Sequence, residues 1–83
     1  MTATGRTCLT VHHDDNVTTL LDRQVDLAEL STGQSIARGV PFGHKVALRH
    51  IPAGAAVVKY GVVIGHARTE IKAGEHVHVH NVD

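Results

Sequence analysis

The chain has 83 residues and one cysteine, Cys8, enough for one small domain that buries about 60% of its unfolded surface but not for an internal disulfide, so a reducing compartment is expected. Eight lysine and arginine residues balance eight aspartate and glutamate residues, which excludes a broad electrostatic pull toward nucleic acid or anionic lipid and leaves only local anion recognition. Phe42 and Tyr60 are the only large aromatics, too few to stack the bases of a single strand, and no apolar run approaches the roughly 20 residues that cross a bilayer; the expectation is a cytoplasmic protein that meets neither nucleic acid nor membrane.

Residues 1–6 (MTATGR) lack the apolar core of a secretory signal and are expected to be disordered ahead of a single domain spanning the rest of 1–83. The run 7–11 (TCLTV) favours a strand, with Cys8 as a structurally passive residue, and the polar run His12-His13-Asp14-Asp15-Asn16 behind it favours a turn. From Asn16, Val17, Leu20, Leu21, Val25, Leu27, Ala28 and Leu30 fall near helical spacing, with Asp15 or Asn16 as N-cap and Gly33 beyond the end. The β-branched residues and aspartates weaken a long helix, so a short helix at about 17–23 is preferred. After Gly33, Gly39, Gly43, Gly54, Gly61, Gly65 and Gly74 with Pro41 and Pro52 cut the chain into short pieces, giving candidate strands at 34–38, 45–48, 56–59, 62–64, 66–69 and 76–82. Ile51-Pro52-Ala53-Gly54 and Ile71-Lys72-Ala73-Gly74 form a faint internal duplication, each expected to make the same turn.

The closing run Glu75-His76-Val77-His78-Val79-His80-Asn81-Val82 alternates histidine with valine at the period of a strand. If extended, it turns His76, His78 and His80 to one face and Val77 and Val79 to the other. A row of imidazoles can ligate a metal, hydrogen-bond a polar ligand or titrate near neutral pH. On spacing alone, His78 and His80 could chelate one ion, with His12 or His44 from elsewhere, and His76 is read as an exposed member of the row. Gly43-His44-Lys45 puts a titratable ring and a fixed cation on a turn, and Lys59-Tyr60-Gly61 adds a cation and a phenol, although Tyr60 could equally be core. Arg6, Arg23, Arg38, Arg49 and Arg68 are scattered and read as solvated surface.

His12, Asp15-Asn16-Val17, Gly43-His44-Lys45-Val46-Ala47-Leu48, Ile51-Pro52-Ala53-Gly54, Lys59-Tyr60-Gly61, Ile64-Gly65, Ile71-Lys72-Ala73-Gly74 and His78-Val79-His80-Asn81, in this order, resemble the N-terminal SAF-type domain of the altronate and galactarate dehydratase family, related to the small subunit of sulfolactate sulfo-lyase. The resemblance runs from about residue 8 to 82 and departs at His13, where the family more often has proline. It implies a mainly β domain with one short helix, a compact β-clip, acting as the small subunit of a sugar-acid hydro-lyase beside a large catalytic subunit and inactive without it. It further implies a catalytic role for His44 and Lys45, substrate contacts from Lys59, Tyr60, Asn81 and His12, metal contacts from His78 and His80, and a divalent iron or manganese cofactor that the large subunit could hold. A sulfolactate sulfo-lyase small subunit and a non-catalytic module binding a hydroxy acid or metal remain as alternatives, and a homo-oligomer is left open.

Overall fold

The computed structural model describes residues 5–83; of the six residues expected to be disordered, 1–4 lie outside this range. Six short strands form two antiparallel sheets. β1 (Cys8–Leu9), β2 (Val17–Leu20), β3 (Lys45–Ala47) and β6 (His76–Val77) make a four-stranded sheet in the order β1-β2-β3-β6, while β4 (Ala56–Lys59) and β5 (Val62–His66) pair as a hairpin. The described residues contain no helix, which corrects the expectation of one over 17–23. That segment is β2, and all four of its residues are buried. Val17 enters a core cluster with Ala47 and Val77, whereas Leu20 enters another with Val46 and Leu30. A strand buried on both faces carries apolar residues with no alternation, and such a run imitates helical spacing.

Asp15 and Asn16, expected as a helix cap, instead anchor turns. Asp15 is 2% exposed and accepts hydrogen bonds from the backbone N–H groups of Val11, His12 and Gly61. Burial pushes its carboxyl up, but those donors, joined by the Tyr60 N–H, outweigh it and hold the group below its ordinary value. Arg6 corrects a second expectation: it is fully buried, paired with Asp22 at 2.8 Å, and donates to the carbonyls of Asp22 and Val40.

The duplicated motifs explain the rest of the architecture. Ile51 and Ile71 exchange both backbone hydrogen bonds, Gly54 donates to Ala67 as Gly74 donates to Ala47, and Ala67 donates to Ala55 as Ala47 donates to Glu75. Strand register repeats the relation, since Ala56 faces His66 as His76 faces Val46, and Val57 faces Gly65 as Val77 faces Lys45. Two strand–turn–strand units are therefore related by a pseudo-two-fold, and the first strand of each pairs with the second strand of the other. The central core consists of the matched pairs Ala47 and Ala67, Ile51 and Ile71, Val57 and Val77, joined by Val17.

Of the candidate strands, 45–48 and 56–59 form as β3 and β4, and 62–64 extends to His66 as β5. Segment 34–38 supplies only a bridge from Ser35 to Glu29, and 66–69 a bridge from Ala67 to Val82. The tail 76–82 is a strand only at His76 and Val77, then folds into a turn over 78–81 closed by Asn81 N–H to the His78 carbonyl.

Candidate functional site

The turn, rather than a strand face, gathers the histidines. The Asn81 side chain, 6% exposed, accepts from the His78 N–H at 3.0 Å and donates to the His76 carbonyl at 2.9 Å. Asn16 does the same in the other unit, accepting from the Val58 N–H and donating to the Ala56 carbonyl. Both asparagines clip the carbonyl of one residue to the N–H two positions on. Residues four apart on an extended strand are separated by about 13 Å, yet the His76 and His80 rings lie 5.3 Å apart. Val77 is fully buried, whereas Val79, which the alternation assigns to the same face, stands at the tip of the turn, 74% exposed.

His44, delivered by the turn before β3, closes the group. Its Nδ1 lies 2.9 Å from His76 Nε2, and its ring stacks on His78 at 4.0 Å. One proton serves the His44–His76 contact, so one ring donates and the other accepts. The ligand-capable atoms of His44, His76 and His78 all lie within 4.8 Å of one another. Burial, followed by the neighbouring His44, His80, His78 and Lys45, pushes His76 down to about 4, and burial with His44, Lys45 and His80 lowers His78. His76 is thus half-buried rather than exposed as expected, while His80 is exposed beside it.

Neutral His76 is favoured by the fold but not by the unfolded chain, which binds the proton near 6.5. Its contribution to stability is complete above 6.5 and is lost as pH falls toward 4. Chelator-treated protein is expected to lose at most about 3 kcal/mol over that window, less with solvent screening. His76→Gln flattens the dependence of Tm on pH.

Lys45 extends from β3 toward a cleft of about 260 Å³ that it lines with Ile64, His78, Val79, Val82 and Asp83. Burial, and then repulsion from Lys59, lowers its affinity for a proton. His12, Lys59 and Tyr60 form a second group at the tip of the β4–β5 hairpin. The Lys59 ammonium sits 4.7 Å from the Tyr60 ring centroid, and a side chain at Gly61 would come within 2.9 Å of the His12 ring. Tyr60 is 44% exposed, not core, and has a φ of +58°. With Gly61 at +74° it makes a two-residue turn of the kind that usually takes Asn-Gly. A tyrosine held there stores about 1–2 kcal/mol of backbone strain. Tyr60→Asn is accordingly expected to raise the midpoint of chemical denaturation, by about 1 kcal/mol in stability, and an unchanged or lower midpoint contradicts the strain.

The structure therefore brings His44, Lys45, His76, His78 and His80 together, places His12, Lys59 and Tyr60 at the neighbouring hairpin tip, and commits both polar atoms of the Asn81 side chain to the turn. The part of His76 was not assigned from sequence, although the same histidine alternation contained the signal.

The family model described as the altronate/galactarate dehydratase SAF domain matches residues 6–83. The chain belongs to this family. Altronate dehydratase of Escherichia coli (strain K12) is 42% identical to the SAF domain over 74 residues, covering 86% of this chain but 15% of the relative. The altronate dehydratase of Bacillus subtilis (strain 168) is 39% identical over 75 residues, again covering 15% of its length. The (2R)-sulfolactate sulfo-lyase subunit alpha of Chromohalobacter salexigens is 35% identical over 79 residues, covering 83% of this chain and 84% of the relative. The SAF domain thus spans about 15% of the dehydratases it matches but most of the sulfo-lyase subunit. Among its described residues, no helix is long and apolar enough to cross a membrane.

Proposed function

We propose that this chain is the small subunit of a cytoplasmic sugar-acid hydro-lyase of the altronate/galactarate type, completing the substrate site of a large catalytic subunit. The observation that carries the reading is the convergence of three imidazoles beside a partly buried lysine in a domain of a lyase family. Dehydrating a 2,3-dihydroxy acid removes a proton next to a carboxylate, and the negative charge that grows there must be neutralised.

Two nitrogens each about 2.1 Å from one ion at right angles are about 3.0 Å apart, and the 2.9 Å between His44 and His76 meets that requirement. His44, His76 and His78 would hold a divalent metal, with His80 beside them, and imidazole donors suit iron better than manganese. Such an ion supplies Lewis acidity toward the developing charge. His76, neutral at physiological pH, offers a lone pair without first losing a proton. The Lys45 ammonium faces the cleft and pairs with a substrate carboxylate, and its weakened hold on the proton suits it to acid–base exchange. Lys59, Tyr60 and His12 offer a cation, a phenol and a ring to the substrate's hydroxyl groups.

The experiment is to assay the purified chain with and without the large lyase subunit on altronate, galactarate and sulfolactate. Turnover is expected only for the pair, and robust turnover by the isolated chain refutes the reading. The alternative of a sulfolactate sulfo-lyase small subunit is favoured by the coverage of subunit alpha along 84% of its length; release of sulfite rather than loss of water identifies it.

A further inference from the structure

A second group of ligand-capable side chains lies in the turn that precedes β2. The donor atoms of His12, His13 and Asp14 all lie within 4.8 Å of one another, and none of these residues belongs to the His44–His76–His78 group. The two imidazole rings stack with centroids 4.3 Å apart and planes 26° from parallel. Each turns one nitrogen to the Asp14 carboxylate: His12 Nδ1 is 3.7 Å from Oδ2, and His13 Nε2 is 3.3 Å from Oδ1.

The backbone beneath these side chains is held from several directions. The buried Asp15 carboxylate accepts from the N–H groups of Val11 and His12, and the Asp15 N–H closes the turn on the His12 carbonyl. Arg49 donates to the carbonyls of Asp14 and Asp15. The His12 ring is seated against the hairpin tip, in space that a side chain at Gly61 would take. Its Nδ1 accepts from the Asp14 N–H at 3.1 Å, which puts the ring proton on Nε2 and aims the Nδ1 lone pair toward Asp14. The His13 ring and the Asp14 carboxylate are 84% and 65% exposed and, among the described ion pairs, have no partner outside this group.

Two imidazoles and one carboxylate are a recurrent donor set for zinc, with the fourth position left to water. Donor atoms about 2.1 Å from one ion at the tetrahedral angle are about 3.4 Å apart. The 3.3 Å between His13 and Asp14 meets that requirement, and the 3.7 Å from His12 closes by a small turn of the exposed carboxylate. The 2.9 Å between His44 and His76 instead suits donors at right angles, so the two groups offer different coordination geometries. Nitrogen donors also disfavour magnesium and calcium, which take oxygen.

We propose that His12 Nδ1, His13 Nε2 and the Asp14 carboxylate form a second metal site, which takes a four-coordinate divalent ion of the zinc class. The ion replaces the Asp14 N–H at Nδ1 and leaves the Nε2–H of His12 free to donate. The site is separate from the one assigned to the lyase reaction and does not depend on the subunit reading.

Calorimetric titration of the metal-free His44→Ala/His78→Ala chain with Zn2+ tests it, because the first group is then disabled. One zinc per chain is expected. Adding His13→Ala or Asp14→Asn is expected to weaken binding by at least about tenfold, with the thermal transition retained as the check on folding. Adding His50→Ala, which removes an exposed histidine paired with Glu70, is expected to leave it in place. The unaltered chain gives an independent count: it takes up one zinc more than its His13→Ala variant. Co2+ in the same site is expected to show the intense visible absorption of four-coordinate cobalt, and the faint absorption of six-coordinate cobalt overturns the assigned geometry. Absence of zinc binding overturns the site, as does binding that survives both His13→Ala and Asp14→Asn, which marks adventitious uptake by surface histidines.

Discussion

Replacing His44 or His78 with alanine in the assembled enzyme is expected to lower kcat/KM by at least about 100-fold and to remove bound divalent metal, with little change in Tm. The two rings stack at 4.0 Å and share the three-imidazole group with His76. On the proposed metal reading, removing one of three donors would leave a two-ligand site, and losses of 10- to 100-fold accompany even the removal of groups that only orient such ligands. His13→Ala is the control, because its side chain is 84% exposed and lies outside that group. Metal content measured by elemental analysis separates the outcomes. Unchanged metal and turnover in His44→Ala would remove the site, whereas lost turnover with retained metal would give His44 a role toward substrate alone.

Arg6→Ala is expected to be the most damaging single change to the fold. The guanidinium is fully buried and bonded to the Asp22 carboxylate, the Asp22 carbonyl and the Val40 carbonyl. Although burial pushes the Asp22 carboxyl up, Arg6 with the N–H groups of Thr7 and Gln24 holds it below its ordinary value. Truncation strands that carboxylate without its cation, a loss of about 3–5 kcal/mol. A domain of 83 residues has about 4–12 kcal/mol in total, so a substantial part of its stability disappears. Urea denaturation measures it directly, and a loss below 1 kcal/mol would show that the ion pair is not what ties the first residues to the turn before Phe42. Arg6→Met, which fills the space without a charge but still strands Asp22, is expected to recover only part of the loss.

The strands 45–48 and 56–59 were legible because β-branched residues stand between glycine and proline punctuation, where local preference and tertiary pairing agree. At 17–23 they disagree to the eye: a strand clamped between two cores has no polar face to report its period, so burial on both sides reads as a helix. The histidine group was legible only in part: the sequence reading paired His78 with His80 and left His76 exposed, whereas the structure gathers His44, His76 and His78. Alternation at period two suggests an extended tail, and the amide of Asn81, engaging the backbone of His76 and His78, bends it instead. A lone asparagine after the pattern carries no visible sign of that choice. Arg6 was misjudged for a related reason, since a scattered arginine looks solvated until the distant aspartate that meets it is known. The duplication at Ile51 and Ile71 was visible as repeated turns, but that the two copies exchange strands is a property of pairing across twenty residues, which no local pattern encodes.

That exchange has a thermodynamic consequence. Because neither copy contains the mate of its own strands, releasing one leaves open ladders in both sheets, and no half of the molecule can melt while the other stays native. Unfolding of the two copies is therefore expected to be cooperative, and a methyl group trimmed from Ile51 is felt across the pseudo-two-fold through its reciprocal bonds to Ile71.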